Sequence, residues 1–188
     1  MTPVDDPLSA VGAAMLGYFV LIAGSYLLIH LAALLRMRQE LAAGEWEPVY
    51  DVLDDPMTPD IAVIVPAYDE EAVIADSVSS FLNLTYPAFE VIVVNDGSTD
   101  DTFGVLEAEF DLRRIDAPVP VSNVPSEEIH GIYRSATDDR LRVVDKANGG
   151  KGDAQNAAIW LTDAELFCVV DADTITQPDC LAKMVRPF

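Results

Sequence analysis

The sequence predicts an α/β protein on a mostly parallel sheet, with one long apolar helix ahead of it. Three observations carry that prediction. Short apolar runs recur near residues 61–65, 91–95, 141–145 and 166–170. Each is too short for a helix and polar at its borders, the mark of a strand buried on both faces. The stretches between them include helix-periodic or Ala-rich segments, so strands and helices alternate. Three of the runs lead into acidic residues and the one near residues 141–145 into a Gly-rich turn, and the carboxyl ends of the strands in an open α/β sheet are where ligands bind.

Residues Val11 to Leu35 form an uncharged run, long enough to cross a bilayer with some tilt. Arg36 and Arg38 follow it, whereas Asp5 and Asp6 precede it with no basic residue. The positive-inside rule then puts residues 1–10 outside the cell membrane and the rest of this single-pass chain in the cytoplasm. A cleaved signal peptide would need a basic start and a shorter apolar core. His30, near the end of the span, fits an interfacial or helix-packing role better than a functional one. Residues 36–59, with Pro48, Pro56, Pro59 and many acids, read as a juxtamembrane linker, and residues 60–188 as one domain with a modest core.

Within that domain the first strand stops near Pro66, which has no N–H for the ladder. Asp69, Glu70 and Glu71 then open an apolar-periodic helix (Val73, Ile74, Val78, Phe81, Leu82). The second strand ends at Asn95-Asp96-Gly97; Gly97 permits a tight turn, and Ser98 or Thr99 is placed to cap the next helix. Residues 111–140, with Pro118, Pro120 and Pro125, read as irregular. The third strand leads through Asn148-Gly149-Gly150-Lys151 into an Ala-rich helix. The fourth, a fully buried strand by its pattern, runs into Asp171-Ala172-Asp173. Cys168 and Cys180 are expected to be reduced thiols. Asn83-Leu84-Thr85 matches a glycosylation pattern by chance on the cytoplasmic side.

A net charge of −21, from 32 acidic and 11 basic residues, argues against a nucleic-acid partner. It keeps a protein soluble in high salt at the cost of self-repulsion in low salt. Most of these acids are expected to be solvated.

The chemistry lies in the loops after the strands. Asp171 and Asp173, two residues apart, can divide between a divalent cation and a sugar or water; the plainer alternative is a solvated Asp-rich turn. Exposed amides of the Gly-rich turn, a helix N-terminus and Lys151 suit a diphosphate. No Gly-x-x-x-x-Gly-Lys-Ser/Thr occurs, so this is not a Walker A loop.

Four motifs in this order, Val65-Pro66-Ala67-Tyr68-Asp69-Glu70, Val94-Asn95-Asp96-Gly97-Ser98-Thr99-Asp100, Asn148-Gly149-Gly150-Lys151-Gly152-Asp153-Ala154-Gln155-Asn156-Ala157 and Asp171-Ala172-Asp173, resemble those of the family 2 glycosyltransferases. Asp69 stands where that family often has Asn. The resemblance covers about residues 60–188 and implies a GT-A sheet and inverting transfer of a hexosyl or N-acetylhexosaminyl group. The donor would be a nucleotide sugar, expected to be a UDP-sugar, and the acceptor a polysaccharide or lipid-linked glycan. It further implies that Ala67, Tyr68, Glu70 and Asp96 face the nucleotide sugar and that Lys151 lies on its base or diphosphate side. Asp171 and Asp173 would hold Mg²⁺ or Mn²⁺, Asp173 the more directly. The family's acidic general-base motif and the Gln-x-x-Arg-Trp motif of processive members do not occur after Asp173. The expectation is therefore a donor half without an identifiable base: a truncated chain, or part of a split enzyme whose acceptor half comes from a second polypeptide. A non-catalytic nucleotide-binding remnant and a receiver-like phosphoacceptor domain, with Asp96 as acceptor, are the alternatives.

Overall fold

The computed structural model describes residues 7–42, 58–116 and 126–185. The chain separates into a helical unit, residues 1–48, and an α/β unit, residues 49–188. The first holds a single described helix, α1 (Pro7–Ala42). Its stretch from Ala10 to Gln39, 30 residues, is long and apolar enough to cross a membrane. The helix overruns the expected span at both ends, because backbone hydrogen bonding continues through Arg36 and Arg38 as readily as through leucines. Polar side chains inside the run close on their own backbone: Ser25 Oγ donates to the Ile22 carbonyl at 2.7 Å, and His30 Nδ1 lies 2.7 Å from the Tyr26 carbonyl. The rest of the expected linker, residues 43–57, lies outside the described residues.

The α/β unit runs β1 (Ile61–Ala67), α2 (Ile74–Leu82), β2 (Phe89–Asp96), α3 (Thr102–Phe110), β3 (Leu112–Ile115), β4 (Ile129–Ser135), β5 (Leu141–Lys146), α4 (Lys151–Ile159), β6 (Leu166–Val169) and α5 (Cys180–Val185). The six strands form one sheet in the order β3-β4-β5-β2-β1-β6. The four strands read from the sequence are its parallel part: β1 pairs with β2 and β6, and β2 with β5.

Residues 111–140 correct the sequence reading. They contain β3 and β4, which add an antiparallel edge to β5. Arg113 and Arg134 face solvent there, and Gly131 sits beside a bulge, so neither strand has the continuous apolar run that betrays its parallel neighbours. Residues 117–125, with Pro118, Pro120 and Pro125, lie outside the described residues.

Two apolar layers sandwich the sheet. On one face Val63, Val65, Val91, Val93 and Val143 pack with Ile74, Val78 and Phe81 of α2, Leu106 and Phe110 of α3, and Leu181 of α5. On the other, Ile64, Ile92, Val94 and Val144 meet Ala154 and Ala158 of α4, whose small side chains let the helix lie close. β6, expected to be fully buried, is instead an edge strand with Phe167 54% and Val169 36% exposed. Register explains it: Phe167 and Val169 pair with Ala62 and Ile64 and so share the α4 face, while Leu166 and Cys168 point to the covered one.

Phe81 is fully buried. Phe81→Ala is expected to cost about 3–5 kcal/mol, read as a lowered urea midpoint. Phe167→Ser, on the open face of β6, should stay within about 0.5 kcal/mol of the parent.

Candidate functional site

The chain leaves β1 toward β2 on one side and returns through β6 on the other, so the loops after β1 and β6 part at the carboxyl edge of the sheet. That is the switch point at which open α/β sheets bind ligands. A cleft of about 270 Å³ opens there. Pro66, Ala67, Tyr68 and Glu70 line it after β1, Asp96 at the end of β2, Lys151 at the start of α4, and Asp171, Ala172 and Asp173 after β6. Every site residue singled out in the sequence reaches this one cleft. Ala67 is buried, Tyr68 is 48% exposed, and Glu70 is half-buried. Asp171 and Asp173 are exposed on either side of buried Ala172.

Loop-to-loop hydrogen bonds hold Tyr68 and Glu70 in place. Asp69 sits at φ 56°, a left-handed conformation that Asp and Asn tolerate better than most residues. Its Oδ1 accepts from Thr99 N at 2.6 Å, and Ser98 Oγ accepts from Asp69 N at 3.1 Å. Thr102 Oγ1 accepts from Glu70 N at 2.8 Å, Asp100 Oδ2 from Glu71 N at 3.1 Å, and Glu71 Oε2 from Asp101 N at 2.9 Å. Ser98 and Thr99 thus bind the first loop rather than cap α3, whose N-cap is Asp101. Likewise Asp69, Glu70 and Glu71 precede α2, which starts only at Ile74.

Asp96 is 3% exposed, and its carboxylate is turned into the wall of the cleft. It accepts from Lys146 Nζ at 2.8 Å, Gly149 N at 3.0 Å and Gly150 N at 2.7 Å. Gly97, at φ 67°, brings the two loops together: a Cβ there would lie 2.5 Å from Asn148 N. Sequence reasoning missed Lys146 and its second partner Asp153, 2.5 Å away. Lys146 is fully buried. Burial pulls its ammonium down, yet hydrogen bonds to Asp153 and Asp96 outweigh that and leave it above the ordinary lysine value. The signal available in the sequence was a lysine closing an apolar strand, where a charge needs a partner.

Lys151 pairs with Asp171 at the cleft mouth, both side chains more than half exposed. Glu70 is held above the usual carboxylate range, first by burial and then by Asp173, Asp100, Asp171 and Asp69. The cleft therefore carries surplus negative charge, which a divalent cation relieves. Asp171 and Asp173 fit such an ion as a carboxylate pair. Among the described residues no cluster of three His, Cys, Asp or Glu side chains forms a protein-only cage.

Because Glu70's folded pKa lies above its unfolded one, its ionised form weakens the fold. The penalty is complete above the folded pKa and gone below the ordinary carboxylate value. Glu70→Gln is expected to raise the thermal midpoint at pH 7. The gain should vanish as the pH falls through Glu70's raised pKa, in paired melts of parent and variant.

The family described as Glycosyl transferase family 2 matches residues 62–118 and 122–188. An uncharacterized glycosyltransferase of Haemophilus influenzae is 34% identical over 128 residues, covering 68% of this chain and 32% of the relative. The hyaluronan synthase of Streptococcus pyogenes is 30% identical over 129 residues, covering 68% and 26%. The chain thus spans about a quarter to a third of the curated relatives it matches. Among solved structures, a mannosyltransferase from Pyrobaculum calidifontis, in complex with GDP-Man and Mn²⁺, superposes with a TM-score of 0.52 at 25% identity, covering 73% of this chain and 37% of that one. The mixed sheet with its flanking helices is the GT-A fold of such neighbours. The family match sets aside the receiver-like alternative: this chain belongs to glycosyl transferase family 2.

Proposed function

We propose that the α/β unit is the donor-binding part of a membrane-anchored inverting glycosyltransferase that takes a UDP-sugar. The carrying observation is the convergence of Glu70, Asp96, Lys151, Asp171 and Asp173 on one cleft at the switch point of the sheet. Ala67, Tyr68 and Asp96 lie on the β1 and β2 side, where the nucleoside sits in this reading. Glu70 faces the sugar. Asp171 and Asp173 hold Mg²⁺ or Mn²⁺, Asp173 the more directly, and the bound ion supplies positive charge opposite the departing diphosphate. Lys151, exposed and paired with Asp171, is within the same site to meet phosphate oxygens.

In the transfer, the acceptor hydroxyl attacks the anomeric carbon as the bond to the nucleoside diphosphate breaks, and its proton passes to a base. The acceptor is a polysaccharide or lipid-linked glycan. Its wall and its base come from a further polypeptide segment, in the same protein or a second one. The anchor is α1, with residues 1–10 outside, the span at residues 11–35 and the domain at residues 60–188 cytoplasmic. Arg36 and Arg38 against Asp5 and Asp6 support that orientation.

Titration calorimetry tests the donor reading. The full chain in detergent is expected to bind UDP with Mn²⁺ more tightly than uridine. Asp173→Asn should weaken UDP binding by about tenfold or more, the scale of one lost charge-assisted contact, and leave uridine binding near that of the parent. Equal loss of both ligands would remove the metal role from Asp173, and a parent that binds neither would remove the donor role from the cleft.

A further inference from the structure

Lys146 closes β5 with no exposed surface, and its three donors are all used: on Asp96 Oδ1 at 2.8 Å, Asp153 Oδ2 at 2.5 Å and the Ala147 carbonyl at 2.5 Å. Both acids have a further task. Asp96 takes the amides of Gly149 and Gly150. Asp153 takes Ser126 Oγ and Glu127 N, each at 3.3 Å. Gly149 lets this arrangement close, since a Cβ there would lie 2.3 Å from Asp153 Oδ2.

Asp153 belongs to the first turn of α4, whose N-cap is Gly150 and which has no side-chain cap. An acid in a first turn favours the positive end of its own helix. Here the carboxylate is turned back onto Lys146 instead, and Lys151, the first residue of α4, lines the cleft. Lys146 with Asp96 and Asp153 sums to one negative charge; without the ammonium it sums to two, beside the place where a diphosphate is to arrive.

We propose that Lys146 is a positioning residue for donor binding: it neutralises Asp96 and Asp153 and draws Asp153 off the amino end of α4, so that this end and Lys151 receive the diphosphate. The proposal rests on the donor reading of the cleft. It makes the role of Lys146 electrostatic as well as structural, which gives it a signature that loss of folding would not produce. An added uncompensated charge at this range changes the affinity for an anion by roughly tenfold at the effective dielectric of a protein surface, whereas a neutral nucleoside is little affected.

The test is calorimetry on the full chain in detergent, with UDP plus Mn²⁺ and with uridine, for the parent and three variants. Lys146→Met is expected to lose about tenfold more affinity for UDP than for uridine. Lys146→Met combined with Asp153→Asn restores the charge count and should regain most of the UDP affinity. Asp153→Asn alone keeps Lys146 on Asp96 and should bind UDP as tightly as the parent or more tightly, a result that stands even where Lys146→Met does not fold. Equal loss of UDP and uridine in Lys146→Met, no recovery in the double variant, or a weakened UDP complex in Asp153→Asn would each overturn the proposal. In all three cases the parent still binds UDP and the donor reading survives. A parent that binds no UDP removes the donor reading first, and this proposal with it.

Discussion

A fully buried ammonium has to be neutralised where it stands, and the geometry of the cleft follows from how Lys146 meets that demand. Its partners come from two separate loops: Asp96 at the end of β2, and Asp153 on α4 after the Gly-rich turn. Joining them fixes the β5–α4 turn against the end of β2. Asp96 then has its remaining acceptor capacity filled by Gly149 N and Gly150 N. Removing one member of such a network strands charge in a poorly solvated place, which costs far more than an exposed ion pair is worth. The buried pair therefore acts as a shape constraint on the loops.

The same economy appears on the wetter side of the cleft, where carboxylates accept backbone amides from the opposite loop. Asp69, Asp100 and Glu71 join the β1–α2 and β2–α3 loops in this way. In a chain with 32 acidic residues these acids hold structure, while others face solvent. The acids left over at the cleft, Glu70, Asp171 and Asp173, lie together, and the Glu70 pKa is raised first by burial and then by these carboxylate neighbours. Ionised Glu70 therefore costs stability there.

Both edges of the sheet differ from its centre. The edge strand β3 presents Arg113 to solvent, and charge on an edge discourages pairing with other chains. The cysteines lie on the β6 side, free and partly buried, with burial pushing the Cys168 thiol up to about 11. Neither is placed for thiolate chemistry near neutral pH.

The sequence by itself determined the parallel strands, the apolar span, the order of the motifs and the residues that meet at the cleft. Continuous apolar runs can be satisfied only as strands buried on both faces, and loops after parallel strands must gather at one edge of the sheet. What it could not determine was whatever depends on partners distant along the chain. The antiparallel edge of β3 and β4 has a weak local pattern and exists because β5 offers an open ladder. The exposure of Phe167 and Val169 depends on where α4 happens to lie, not on β6. The turning of Asp96 into the wall required Lys146, 50 residues later, and Asp153 was drawn from its own helix end by the same cation. Local composition carries no record of which charges become neighbours; only the closing of the sheet decided that.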